Sequence, residues 1–354
     1  MARKPKSSAR EWTEAILFAV VAATLIRWLF LEAFTIPSPS MEKTLLVGDF
    51  LFVSKIHYGA RTPQTPLQVP LTHQTLWGTD QPSYSTRLQW PMFRLPGISH
   101  VQRNDVVVFN FPPELDHPVD LKTHYIKRCL AVGGDTLQIR NRQVYINGEA
   151  APNPTEMQFS YLLEVGTVEL KPAFFKQWDI REWQRVPGGF KIYTTPAIAD
   201  SLRNEAQVKR LEPLEEQPGV ADNYVFPNAA ALFPWNQDNF GPLWIPAEGG
   251  TLPMTKENVA LYGETIRRYE HLRKVELKDN QLLIDGAPVQ EYTFRQNYYF
   301  MMGDNRHNSL DSRYWGFVPE DHIVGKAIFI WMSMERENKG TDGVRWNRIF
   351  QAIR

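Results

Sequence analysis

Residues 12–34 form an almost unbroken apolar run, and no other stretch of the 354-residue chain approaches that length. A helix needs roughly 20 such residues to cross a hydrocarbon core of ~30 Å, so the sequence predicts one transmembrane anchor carrying a large region on one side of a bilayer. Arg27 and Glu32 interrupt the run. Arg27 sits near its end, where a long side chain snorkels to the interface, and Trp28, Phe30 and Phe34 suit the interfacial belt. Arg3, Lys4, Lys6 and Arg10 precede the run, whereas residues 35–51 hold Lys43 as their one base. That asymmetry keeps the N-terminus cytoplasmic and the remainder outside. A cleavable leader also begins basic and apolar, but no small-x-small site follows, and the run exceeds the usual ~7–15-residue core.

Beyond the anchor, strand signals dominate. Residues 49–55, 106–111, 125–132, 136–140, 143–146, 275–277, 281–284 and 325–332 are short runs rich in Val, Ile, Leu, Phe and Tyr, bounded by Gly, Asn and Asp. Helical periodicity recurs over 255–272, with Ala260, Leu261, Ile266 and Tyr269 on one face, too little for a βαβ sheet. The expected fold is mainly β: an antiparallel catalytic sheet domain, an inserted α+β lobe and one N-terminal transmembrane helix. Residues 137–148 and 275–286 echo each other position by position, and both read as hairpins ending in Asn-Gly or Asp-Gly. The expected boundaries are a basic tail 1–11, the anchor 12–34, a β domain from 35–150 and 275–335 with a decorated loop 58–102, an inserted lobe 151–274, and a tail 336–354.

Composition excludes several classes of function. Acidic and basic residues balance at 39 each, so no global field points to nucleic acid. The single cysteine, Cys129, offers no internal disulfide. Eight histidines are scattered without His-Glu-x-x-His, which argues against a zinc hydrolase.

The candidate chemistry lies just past the anchor. Pro37 and Pro39 hold the approach to Ser40 extended, presenting its hydroxyl at a rigid bend. Serine is a weak nucleophile near neutral pH and needs a base. Lys127 interrupts a strand-like run; alternation gives it Tyr125, Cys129 and Ala131 as companions on one face, and burial lowers a lysine's pKa by penalising the ammonium. Arg128 cannot be a base but suits an ion pair. Ser38 and the Ser40 N–H are candidate donors to an oxyanion. Residues 303–313 gather Asp304, Arg306, His307, Ser309, Asp311 and Arg313 in one polar cluster. There Asp304 and Asp311 have Arg306 and Arg313 as prospective partners, Ser309 is placed to direct the lysine amine, and His307 reads as a surface imidazole.

Five segments then carry a resemblance: Pro37-Ser38-Pro39-Ser40-Met41; Gly48-Asp49-Phe50 to Tyr58-Gly59; Asp105 to Phe109; Tyr125-Ile126-Lys127-Arg128 to Gly134-Asp135; and Gly303-Asp304-Asn305-Arg306 to Val318-Pro319. In this order they resemble bacterial type I signal peptidases. The likeness implies that Ser40 is the nucleophile, Lys127 the general base, Ser38 an oxyanion donor, Ser309 the group orienting the lysine, and Asp311 with Arg313 a supporting ion pair. It implies no cofactor or metal. As partners it implies preprotein signal peptides, the lipid bilayer of the bacterial inner membrane and a secretion translocon. Pro39 stands where the family commonly has Gly, Lys43 where it has Pro, and His307 where it has Asp.

Two rival readings compete. Ser40-Met41-Glu42-Lys43 fits the Ser-x-x-Lys signature of penicillin-binding proteins and serine β-lactamases, but Ser-Asp-Asn and Lys-Thr-Gly are missing, the nearest string being Lys339-Gly340-Thr341. A tethered β scaffold that binds extended peptides at a sheet edge would need no catalytic groups.

Overall fold

A computed structural model describes residues 7–166, 170–335 and 343–354; Arg3, Lys4, Lys6 and the Lys339-Gly340-Thr341 string lie outside the described residues. Ser8–Leu29 form helix α1, with none of its residues buried against the rest of the chain. Its 22 residues extend about 33 Å at ~1.5 Å per residue, long and apolar enough to cross a membrane. The apolar run continues to Phe34, but the chain turns at Phe30, and Leu31–Thr35 form strand β1, paired with β2 (Asp49–Ser54). Hydropathy counts apolar residues without seeing which element buries them, so helix and strand merge in it. Arg27 and Glu32, which interrupt the later part of the run, prove to be partners. Glu32 is buried on β1 and pairs with Arg27 Nε at 2.5 Å and Lys55 Nζ at 2.8 Å.

The chain is mainly β, and every strand ladder among the described residues is antiparallel. A seven-stranded sheet runs β1, β2, Ile323–Ser333, β3 (Val106–Asn110), β4 (His124–Ala131), Tyr298–Met302, Val318–Pro319. All five β3 residues are buried, because Val106 and Val108 join Ile36, Met41, Leu51 and Val53, whereas Val107 and Phe109 join Tyr58, Cys129 and Met301. Among the described residues β1 ends the sheet, leaving one side of its backbone without a strand partner.

Residues 58–102 fold back on themselves through isolated bridges, Arg61 with Arg94 and Gln68 with Tyr84. Two half-buried arginines fasten this excursion to the sheet. Arg61 donates to Asn110 Oδ1 and the Asp321 carbonyl, and Arg94 to the Glu320 and Ile323 carbonyls. The echoing segments are hairpins: Thr136–Arg140 pairs with Gln143–Ile146, and Val275–Lys278 with Gln281–Ile284. Asn141 and Arg142 in one turn, and Asp279 and Asn280 in the other, all have positive φ, the tight geometry that matches strand twist.

The segment 151–274 divides in two. Phe159–Val165, Trp183–Val186, Gly189–Thr194 and Val208–Pro213 form a separate four-stranded sheet over a core that includes Leu163, Phe175, Ile192 and Leu202. From Val225 onward the chain rejoins the main body. Phe240–Trp244 pairs with Thr136–Arg140, and helix Lys256–Tyr269 inserts Leu261, Tyr262 and Ile266 into the core that holds Leu137 and Leu282.

Candidate active site

Ser40 sits in a one-turn 3-10 helix, Pro39–Met41, entered through an extended Ser38 with φ −129° and ψ 155°. Proline at the first helical position is pre-set for that turn. Met41 anchors it, fully buried in the sheet's apolar cluster. The register Val107↔Lys127 places the lysine in mid-sheet, on the stretch of β4 that precedes its pairing with Tyr298–Met302, which begins at Arg128.

The two residues meet. Lys127 Nζ lies 2.7 Å from Ser40 Oγ and 3.0 Å from the Ile126 carbonyl, with the Tyr125 ring 5.5 Å away. Lys127 is 4% exposed, and burial pulls its amine down to about 8, against the opposing pull of Asp311 and Asp304. Both carboxylates are already engaged by arginines. Arg313 Nε and Nη2 grip Asp311 at 2.9 and 2.8 Å, and Arg128 Nε and Nη2 grip Asp304 at 2.8 and 2.6 Å. These bidentate pairs spend the negative charge that would otherwise hold the lysine protonated. With the amine uncharged, the serine hydroxyl donates to it.

The motif loop also holds the backbone of Ser40. Asn305 N–H donates to the Ser40 carbonyl at 3.1 Å, its Nδ2 donates to the Pro39 carbonyl at 3.1 Å, and Thr44 Oγ1 donates to Asp304 at 2.6 Å. Gly303 permits this approach, since a Cβ there would lie 2.5 Å from the Ser40 carbonyl oxygen and 2.3 Å from Ser309 Oγ. Its N–H donates to Asp311 Oδ2 at 3.1 Å.

The structure brings the remaining sequence candidates together with several changes. Ser38 Oγ lies 3.5 Å from Ser40 Oγ. Ser309 is buried beside Gly303, and its hydroxyl has no well-formed hydrogen bond, although its proximity helps keep the Asp311 carboxyl below the usual range. Asp311 pairs with Arg313 as its neighbourhood suggested. Asp304 pairs with Arg128 instead of Arg306 or Arg313, because the register Met302↔Arg128 carries the loop back to β4. Arg306 is buried, its Nε and Nη1 without a partner among the described residues, and burial lowers it to about 10. It contributes through its backbone, its carbonyl accepting from Arg313 Nη2.

His307 is not a surface imidazole. Its side chain is 2% exposed; Nδ1 accepts from the Ser160 N–H at 3.1 Å and Nε2 lies 2.7 Å from Asp238 Oδ1. The backbone donor fixes the tautomer, with the proton on Nε2, and burial holds the ring's pKa below its ordinary value.

Lys43, the base that the Ser-x-x-Lys reading requires, turns away to an ion pair with Asp179. Sequence reasoning overlooked Glu42, which is 4% exposed and pushed up to about 7 by burial, with Arg181 Nε 3.6 Å from its carboxylate. It also gave Asn305 no role, although the residue lies inside the quoted Gly-Asp-Asn-Arg string.

The chain matches the family described as Signal peptidase, peptidase S26, over residues 9–226 and 249–332. It is 28% identical over 338 residues to "Signal peptidase I" of Buchnera aphidicola subsp. Acyrthosiphon pisum, covering 93% of this chain and 77% of that protein. To "Signal peptidase I" of Haemophilus influenzae it is 26% identical over 353 residues, covering 99% and 78%. To that of Pseudomonas aeruginosa it is 26% identical over 329 residues, covering 90% and 69%.

Proposed function

The chain belongs to the signal peptidase family, peptidase S26, and we propose that Ser40 and Lys127 are the nucleophile and general base with which it cleaves signal peptides from exported preproteins. The observation that carries these roles is the 2.7 Å approach of a buried lysine amine to the serine hydroxyl. Ser40 Oγ attacks the scissile carbonyl carbon while Lys127 takes its proton. Ser38 and the Ser40 N–H donate to the developing oxyanion. As the C–N bond breaks, the Lys127 ammonium returns the proton to the leaving amine, which becomes the mature protein's N-terminus. Lys127 then deprotonates a water that attacks the acyl ester, and Ser40 recovers its hydrogen.

β1 supports the docking mode. As the end strand of its sheet, leading directly into the Ser40 turn, it offers its free side for an extended peptide to join. Phe34 on β1 and Ile126 on β4, both half-buried, pack against the apolar cluster that holds Met41 and offer shallow apolar contacts for the small residues ahead of the cleavage site. The anchor α1 sets the catalytic region beside the bilayer, and the basic tail before it favours a cytoplasmic N-terminus with catalysis on the outer face of the bacterial inner membrane. A secretion translocon fits as the supplier of substrate.

The test is direct. Wild type, Ser40→Ala and Lys127→Ala are incubated with one labelled precursor in detergent micelles, and the new amino terminus is mapped. Wild type produces a single mature N-terminus and neither variant does; cleavage that persists in Ser40→Ala would sink the assignment.

A further inference from the structure

The separate sheet of residues 159–213 meets the site through polar groups. Gln158, at its entrance, threads beside the motif loop: its N–H donates to the Asp304 carbonyl and its carbonyl accepts from the Arg306 N–H, both at 2.9 Å. Glu182 projects from the other side. Its backbone carbonyl accepts from the Tyr193 N–H at 3.1 Å, tying it to the lobe's sheet. Its Oε2 accepts from Asn305 Nδ2 at 2.8 Å and from Asn308 Nδ2 at 2.9 Å.

An amide NH2 has two hydrogens, and Asn305 uses both: one on Glu182, the other on the Pro39 carbonyl at 3.1 Å. Its backbone N–H goes to the Ser40 carbonyl. A short chain of contacts therefore runs from the lobe's sheet, through one carboxylate and one amide, to the two backbone carbonyls that flank the Ser40 Cα, those of Pro39 and Ser40. On the far side of the same turn, Asp179 and Arg181 from this lobe face Lys43 and Glu42.

We infer that this lobe is a positioning element for the nucleophile and that Glu182 is the positioning residue through which it acts, fixing Asn305 so that Asn305 fixes the Ser40 turn against Lys127. The inference rests on Ser40 being the nucleophile. Glu182 touches no reacting atom, so its effect is geometric, and misplacing reacting groups by ~1 Å costs roughly a hundred-fold in rate.

The experiment compares full-length wild type, Glu182→Ala, Glu182→Asp, Glu182→Gln, Ser40→Ala and the exposed-pair control Arg210→Ala in micelles, reading kcat, KM and the folded fraction. Glu182→Ala and Glu182→Asp should lower kcat roughly ten- to a hundred-fold with KM near wild type. The aspartate keeps the charge but falls short of both amides. Glu182→Gln, whose carbonyl oxygen still accepts from both, should recover most of the rate, and Arg210→Ala should be unchanged. Wild-type kcat in both Glu182→Ala and Glu182→Asp, or a fall that only tracks the unfolded fraction, would overturn the inference. If Ser40→Ala is inactive while the Glu182 variants turn over normally, the lobe's role fails and the nucleophile stands; cleavage by Ser40→Ala would fail the nucleophile itself.

Discussion

Two lysines are buried along β4 and its approach, Lys122 and Lys127, each 4% exposed and each with its amine pulled below the ordinary lysine value by burial. Their surroundings differ. The Lys122 amine donates to the Pro112 carbonyl at 3.0 Å, lies 3.1 Å from His322 Nε2, and has the Asp321 carboxylate close enough to favour its charge. It is a staple between two loops, and its neighbours need its hydrogens. Lys127 has one carbonyl and one hydroxyl within reach, and the carboxylates near it are occupied by Arg313 and Arg128. Burial makes an amine willing to lose its proton; the company it keeps decides whether that loss does chemistry.

The largest test of this contrast is kinetic. Lys127→Ala should lower kcat for precursor cleavage by at least about 10⁴-fold, the scale for removing a member of a catalytic unit, whereas Lys122→Met should remain within a few-fold of wild type. Equal losses would erase the distinction. Next in size is Arg313→Ala, which strands the buried Asp311 carboxylate and should cost ~3–5 kcal/mol in urea denaturation. In the protein that remains folded, the freed carboxylate should raise the pH at which activity is half-maximal, because it stabilises the Lys127 ammonium.

Stability should respond unequally at the two lysines. The folded-state pKa of Lys127 lies below its unfolded value, so the unfolded chain binds the extra proton, and the penalty is full below pH about 8 and lifts as pH rises toward 10.5. A fall from 10.5 to about 8 corresponds to about 3 kcal/mol, so Lys127→Met should gain up to that amount at pH 7 while abolishing turnover. Lys122→Met also removes an ammonium that burial disfavours, but it leaves two acceptors without a donor at a cost of ~1–2 kcal/mol, so its gain should be smaller. Smallest is Lys43→Ala: it deletes an ion pair with the largely exposed Asp179 worth ~0–1 kcal/mol and should leave cleavage within a few-fold. A collapse of activity there, with Lys127→Ala active, would restore the Ser-x-x-Lys reading.

The sequence made the strands around the site legible because each is a compact apolar run closed by turn residues. The predicted 136–140, 143–146 and 281–284 coincide with strands found, and 106–111 and 125–132 shift by one residue at their ends. β1 was hidden inside the anchor's hydropathy. Phe240–Trp244 was hidden by distance, since its partner Thr136–Arg140 lies about a hundred residues earlier. At the site, Ser40 and Lys127 were readable from their residue types and setting, but the Asp304–Arg128 pair was not: nearby arginines in sequence are the natural guess, and only the β4 register decides otherwise. Glu182 carried no signal, because its partners lie 123 and 126 positions away.

Glu42 is pushed up to about 7, so a pH–rate profile alone would blend two titrations near Ser40. A ¹⁵N titration of the Lys127 amine in micelles, assigned by the signal lost in Lys127→Met, reads that residue by itself. A midpoint near 8 is the predicted result. A midpoint near the usual 10.5, in protein that still cleaves its precursor, would contradict the claim that a desolvated, uncharged Lys127 activates Ser40.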